Sequence, residues 1–170
     1  MLFTTPRLVI RSLKETDLPH FYRLQSSEQV MQYVGGCTMT WEESEKDLEK
    51  IIRCYRKPGN DFRIWAVLLK ENNQWIGTCA LVKNEKGEQE IGYRFLETSW
   101  GKGYGKELVK GLVEYAFTKL KIKQIVAYAA RENKASVKIL DCYFNFLREV
   151  YNEKDKCTDR VYVLYNDLLK

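Results

Sequence analysis

The stretch Trp100-Gly101-Lys102-Gly103-Tyr104-Gly105-Lys106 limits the possible fold more than any other part of the chain. The β-prone run Glu90-Ile91-Gly92-Tyr93-Arg94-Phe95-Leu96 precedes it, and a helical pattern from Glu107 to Leu120 follows. Three glycines in five residues let the backbone turn sharply and approach a ligand without side chains in the way. The helix beyond begins with unpaired N–H groups and the positive end of its dipole. Such a junction suits an anion, most naturally a phosphate. The spacing matches neither the P-loop nor the dinucleotide fingerprint. No Gly-Lys-Ser/Thr is present, and only Gly103-Tyr104-Gly105 has the Gly-x-Gly spacing. The residues alone leave a phosphate site and a plain glycine-rich helix start both open.

The rest of the chain reads as one α/β domain. Its 170 residues suffice for a real core. Leu8 to Ile10 predicts a first strand. Thr16 is placed to cap a short helix with Pro19 in its first turn, where proline is tolerated. Val30, Met31 and Tyr33 suggest another short helix, ended by Gly35-Gly36. Thr40 and Glu43 form a capping box for a helix whose Leu48, Ile51, Ile52 and Tyr55 share a face. Ile64 to Leu69, Trp75 to Val82 and Glu90 to Leu96 then read as an antiparallel meander. Gly77 lies inside its middle strand.

After the long helix, with Leu108, Val109, Leu112, Val113, Ala116 and Leu120 as its apolar stripe and Glu107 outside it, comes a strand from Gln124 to Ala129. That strand should run parallel to the one before the helix. Asn133 caps a helix from Lys134 to about Cys142, and Asn145 to Val150 and Arg160 to Tyr165 close the chain as a hairpin. This gives about seven strands in a mixed sheet flanked by helices.

Composition excludes several classes. No apolar run reaches the eighteen residues of a membrane span, and the first residues lack a signal peptide's apolar region, so the cytoplasm is the expected location. The five cysteines are widely spaced and odd in number, and read as reduced, mostly buried thiols rather than a disulfide framework or zinc site. The single histidine, His20, reads as a packing or surface residue, and no metal is expected. The net charge of +5 suits a polyphosphorylated coenzyme. It is also the only support for nucleic-acid binding, since no RNA-binding motif accompanies it.

The turn from Trp100 to Lys106, with Glu107, resembles the acetyl-CoA signature of the GCN5-related N-acetyltransferases (GNAT), Arg/Gln-x-x-Gly-x-Gly/Ala, with Trp100 in the first position. The Trp-Gly-Lys-Gly-Tyr variant is similar to the RimJ/RimL branch, which acetylates ribosomal-protein N-termini. Thr5-Pro6-Arg7-Leu8-Val9-Ile10-Arg11, Ile91-Gly92-Tyr93 and Asn133-Lys134-Ala135-Ser136 resemble three further motifs of that branch, in the same order.

The resemblance implies a single domain over residues 1–170, with a mostly antiparallel sheet whose parallel fourth and fifth strands splay apart to admit acetyl-CoA. Backbone groups near Phe95 and Leu96 would pair with the pantetheine arm as an added strand would. The turn Lys102-Gly103-Tyr104-Gly105-Lys106 would hold the pyrophosphate, through the N–H groups of Lys102, Gly103, Gly105 and Lys106. Asn133 would bond the arm or act only as a helix cap.

The implied reaction moves an acetyl group to an amine that must first lose a proton. Glu90 is the candidate base. Alternation puts it on one strand face with Gly92 and Arg94, opposite Ile91, Tyr93 and Phe95. Which face meets the substrate stays open, and Glu90 reads equally well as an exposed strand carboxylate. Many relatives protonate the departing thiolate with a tyrosine that would align with Ile139. Ser136 inherits that role here, or is a structural residue of the helix start. The expected acceptor is a protein or peptide N-terminal amine. A small polyamine or aminoglycoside-like amine, and a non-catalytic acyl-CoA-binding regulator, are the alternatives. Both a monomer and a homodimer fit the sequence.

Overall fold

The computed structural model describes residues 1–35, 37–153 and 155–166. The elements follow in the order β1 (Phe3–Thr4), β2 (Leu8–Ser12), α1 (Leu18–Gln25), α2 (Glu28–Met31), α3 (Trp41–Cys54), β3 (Phe62–Leu69), β4 (Trp75–Lys83), β5 (Gln89–Phe95), α4 (Tyr104–Thr118), β6 (Gln124–Ala130), α5 (Lys134–Leu140), β7 (Asn145–Asn152) and β8 (Cys157–Tyr165). The strands form one sheet in the order β1-β2-β3-β4-β5-β6-β8-β7. The count is eight rather than about seven. The added strand is β1, two residues that pair as Phe3↔Ile10 and Thr4↔Val9 and are too short for a periodic signal.

Every pairing is antiparallel except β5 with β6. That parallel pairing follows from the crossover through α4. It is also brief: only Glu90↔Val126 and Ile91↔Ala127 are in register, although β5 runs on to Phe95 and β6 to Ala130. The strands therefore separate beyond Ile91 and Ala127.

Alternation along the strands feeds two cores, one on each side of the sheet. On β3, Trp65, Val67 and Leu69 join one cluster with Ile91, Phe95 and the α4 stripe Leu108, Val109, Leu112 and Ala116. Ala66 and Leu68 join the other, with Phe21, Leu24, Val30, Leu48 and Ile51 from α1, α2 and α3. The base of α3 is fixed by the expected capping box. Thr40 Oγ1 accepts from Glu43 N–H at 3.2 Å, and Glu43 Oε2 accepts from Thr40 N–H at 2.8 Å.

Some local expectations change. Thr16 does not cap a helix; it lies within a short 3₁₀ turn, Glu15–Asp17, that runs directly into α1, whose N-cap is Asp17. Asp17 is held there because its carboxylate accepts from Lys14 N–H and binds Arg11 at 2.7 and 2.8 Å. Helix α4 begins at Tyr104, three residues before the pattern suggests, because Gly103 serves as its N-cap. The end expected at Gly35-Gly36 is described only as far as Gly35. Of the five cysteines, Cys54 and Cys79 are buried, whereas Cys37 and Cys142 are exposed and Cys157 is half-buried. His20 stacks on Trp75 with ring centroids 5.9 Å apart.

Gly77 has a specific reason to be glycine. A Cβ there would lie 2.1 Å from the carbonyl oxygen of Arg94 and 3.0 Å from Cα of Phe95, both backbone atoms of β5. Gly77→Ala must push away the end of β5, beyond its pairing with β6. We expect a loss of about 1–3 kcal/mol of stability, the usual cost of forced overpacking. Denaturant unfolding monitored by tryptophan fluorescence measures it.

Candidate active site

The two faces of the strand before the glycine turn meet different helices. Arg94, on the same face as Glu90 and Gly92, donates from Nη1 to Gln25 Oε1 of α1 and to Met31 Sδ of α2. Gln25 passes the contact on by donating to Asp47 Oδ2 of α3 at 3.1 Å. The Glu90 face thus lies under α1–α3. Burial pushes Arg94 below its ordinary value, opposed by the charge of Asp47. Ile91, Tyr93 and Phe95 face α4 and α5.

Two glycines of the turn have distinct tasks. Gly103 has φ +79°, in the left-handed region where a side chain is strained. Gly105 permits a close approach: a Cβ there would be 2.8 Å from Ile139 Cδ1 of α5 and 3.8 Å from the ring of Phe95. The result is an open helix start. The first backbone bond of α4 runs from Glu107 N–H to Gly103 O at 3.2 Å. Among the described residues, no acceptor meets the N–H groups of Lys102, Gly103, Tyr104, Gly105 or Lys106. Lys102 and Lys106 are exposed beside them.

Arg7 and Glu107, about a hundred residues apart, brace this turn. Glu107 accepts from Thr5 Oγ1, from Arg7 N–H at 2.7 Å and from Arg7 Nε at 2.6 Å. Arg7 Nη1 donates to Lys102 O at 3.0 Å, and its guanidinium lies 4.7 Å over the Tyr104 ring. The pattern along α4 suggested a solvated Glu107, yet its side chain is 15% exposed. No helical spacing reports a partner a hundred residues away. Burial works to raise the Glu107 carboxyl, but the bonds from Thr5 and Arg7 outweigh it and hold it below the usual range.

At the mouth of the gap, Phe95 and Leu96 are both buried. Leu96 N–H is given to Ile76 O at 2.9 Å, and Phe95 O accepts from Trp100 Nε1 at 2.8 Å. Since alternate residues of an antiparallel strand turn to its partner, Leu96 faces β4, and Phe95 faces the gap. Asn133 caps α5, its Oδ1 accepting from Ser136 N–H at 3.1 Å. Ser136 Oγ is 2.9 Å from Tyr93 Oη, a contact between β5 and α5 that strand alternation alone does not foretell.

A cavity of about 880 Å³ runs between β5 and β6. Glu90, Gly92, Tyr93, Ala129, Asn133 and Ser136 all line it, and the glycine turn lies outside its lining. Glu90 is half-buried and accepts from Asn84 Nδ2 at 3.1 Å. Burial raises its carboxyl above the ordinary value, with help from Glu88 and Asp159 and against the Asn84 bond and Lys86. Among the described residues, five carboxylates line the cavity (Glu85, Glu90, Glu153, Asp155 and Asp159) against two cations, Lys86 and Arg94. The local charge is thus opposite to that of the whole chain. Among the described residues, no group of three or more His, Cys, Asp or Glu is placed to hold a metal ion, and no helix is long and apolar enough to cross a membrane.

Parallel strands that part, the first leading into an open, glycine-capped helix start, make a site suited to an acyl-coenzyme A donor. The family model for the acetyltransferase (GNAT) domain matches residues 7–141, and the chain belongs to that family as an N-acetyltransferase. Enzymes of the family use acetyl-CoA. The chain is 29% identical over 164 residues to the uncharacterized N-acetyltransferase p20 of Bacillus licheniformis, covering 95% of this chain and 91% of that one. Its fold matches a RimL ribosomal L7/L12 alpha-N-protein acetyltransferase in complex with coenzyme A, with TM-score 0.83, 16% identity, and 98% of each chain covered. It also matches spermidine N-acetyltransferase from Vibrio cholerae in complex with CoA and spermine, with TM-score 0.79, 23% identity, and 96% and 98% of the chains covered.

The Glu107 brace gives a pH prediction. A carboxyl held below its unfolded value contributes stability that is fully present above about pH 4.3, the unfolded glutamate value, and is lost as pH falls through the lower folded value. Glu107→Gln should remove that contribution. Unfolding curves from pH 7 down to pH 3 should show the wild-type advantage over the variant shrinking below about pH 4.

Proposed function

We propose that the protein transfers the acetyl group of acetyl-CoA to a primary amine held in the cavity between β5 and β6. The observation that carries this reading is the run of unpartnered N–H groups at 102–106, beside strands that part. The coenzyme fits the residues present. Gly103 and Gly105 put no side chain at their own positions, Lys102 and Lys106 supply positive charge, and the start of α4 adds its dipole. The amides of Lys102, Gly103, Tyr104, Gly105 and Lys106 hold the pyrophosphate. Phe95 offers the strand edge to the pantetheine arm. For Leu96, whose N–H is engaged, the contribution is packing. Asn133 Oδ1 is spent on its cap, which leaves its Nδ2 to donate to the arm.

Glu90 acts as base toward the acceptor ammonium. Its face lies under α1–α3, on the side of the sheet opposite α4 and α5, so amine and coenzyme approach from opposite sides. A carboxyl raised by burial accepts a proton more readily than an ordinary one. Ser136, on the coenzyme side, protonates the departing thiolate.

For the acceptor, the resemblance to the RimJ/RimL branch favours a protein or peptide N-terminal amine. A second reading, a small polycationic amine, is favoured by the five carboxylates of the cavity. A thiol-release assay on N-terminal peptides and polyamines, with acetyl-CoA as donor, separates them by kcat/KM. Tight coenzyme binding without turnover on any acceptor would favour the regulator instead.

Gly103→Asp sets a carboxylate at the pyrophosphate position and strains a residue at φ +79°. It should abolish coenzyme binding in calorimetry; unchanged affinity in a folded variant would remove the assignment. Glu90→Gln should lower kcat by about 10²-fold or more, the usual range for a lost general base, with coenzyme affinity preserved.

A further inference from the structure

We propose that Tyr93 is a positioning residue that works through Ser136, fixing its hydroxyl and refilling its proton when the coenzyme thiolate departs. This rests on the function proposed above and assigns a task to a strand residue that otherwise reads as core or cavity lining. The geometry has three parts. Ser136 is held at both ends, its N–H given to Asn133 Oδ1 at 3.1 Å and its Oγ in contact with Tyr93 Oη at 2.9 Å. Both side chains line the cavity between the diverging strands. Ile139, one turn further along α5, is an alkyl group packed on Gly105 and brings no hydroxyl.

A hydroxyl has one proton and two acceptor lone pairs. With Tyr93 donating to Ser136 Oγ, the serine proton is turned away from Tyr93 and toward the cavity. A serine alone is a poor acid. A serine whose oxygen takes a phenol proton as it gives up its own never carries a full negative charge.

The step balances. The C–S bond of the tetrahedral adduct breaks and its electron pair goes to sulfur. Sulfur takes the Ser136 proton and Ser136 takes the Tyr93 proton. The ammonium's first proton goes to Glu90 before attack, and the second, shed by the acylated nitrogen as the adduct collapses, returns through water to the tyrosinate.

The surroundings keep the phenol in its protonated form. Cys79 faces Tyr93 from β4 in register, and Gly105 approaches it from α4 with its Cα side. Burial pushes the Cys79 thiol up, so it stays neutral. Burial likewise raises the Tyr93 phenol, opposed by the Ser136 bond, so that it keeps its proton through neutral pH.

The test is Tyr93→Phe, which removes one oxygen and keeps the ring. With acetyl-CoA and the best amine of the panel, kcat should fall by about 10- to 100-fold, the lower part of the range for positioned acid–base groups, while coenzyme Kd and acceptor KM hold. The proton inventory of kcat in H₂O–D₂O mixtures should be curved in wild type and linear in the variant. Ser136→Ala should lose at least as much, and the double variant no more than Ser136→Ala, because the two act in series. A Tyr93→Phe enzyme with wild-type kcat and a curved inventory overturns the inference. So does a double variant whose loss is the product of the two single losses, and so does a kcat loss matched by weaker coenzyme binding. No thiol release by wild type on any amine overturns the proposed function itself, whereas wild-type turnover equalled by Tyr93→Phe overturns this inference alone.

Discussion

Two residue pairs, Glu90↔Val126 and Ile91↔Ala127, are all that joins one half of the sheet to the other by strand pairing. Everything distinctive in the molecule follows from the shortness of that seam. Had β5 and β6 stayed in register to their ends, their inward edges would be satisfied by each other. Because they part, those edges are left for a ligand, and a cavity opens between them. The seam survives because side-chain packing on the α4 face, through Ile91, Leu108, Leu112 and Ile125, supplies the cohesion that hydrogen bonds there do not.

The two sides of this seam carry different chemistry. On one, Glu90 sits among carboxylates beneath a cover of helices tied to Arg94 through Gln25. On the other, Ser136, Tyr93 and the open start of α4 gather around Gly105. In the proposed mechanism, the two faces of β5 keep the base, Glu90, apart from the Tyr93–Ser136 pair that serves as acid. A proton would then leave the amine on one side of the sheet while another reaches sulfur on the far side.

Much of this was legible in the residues. The capping box at Thr40 and the parallel return after α4 are local rules written in a few adjacent letters, and each holds. The family resemblance, carried by four motifs in order, agrees with the domain matched over residues 7–141. What stayed hidden was set by distance along the chain. Arg7 and Glu107 are bonded across a hundred positions, Tyr93 and Ser136 across 43, and Arg94 and Gln25 across 69. Periodicity reports which face a residue occupies, not which partner waits there. The two-residue strand β1 escaped for the opposite reason, having too few letters to show a period at all.

The contact between Ile139 and Gly105 also bears on redesign. Placing an aromatic ring at 139 would need room that the backbone of α4 now occupies, since Ile139 Cδ1 already lies within 2.8 Å of where a side chain on Gly105 would begin. Helix α4 would have to retreat, carrying its amide cradle with it. Under the roles proposed for the turn and for α5, donor grip and leaving-group chemistry would be mechanically geared, and a graft that retunes one would call for a compensating change in the other.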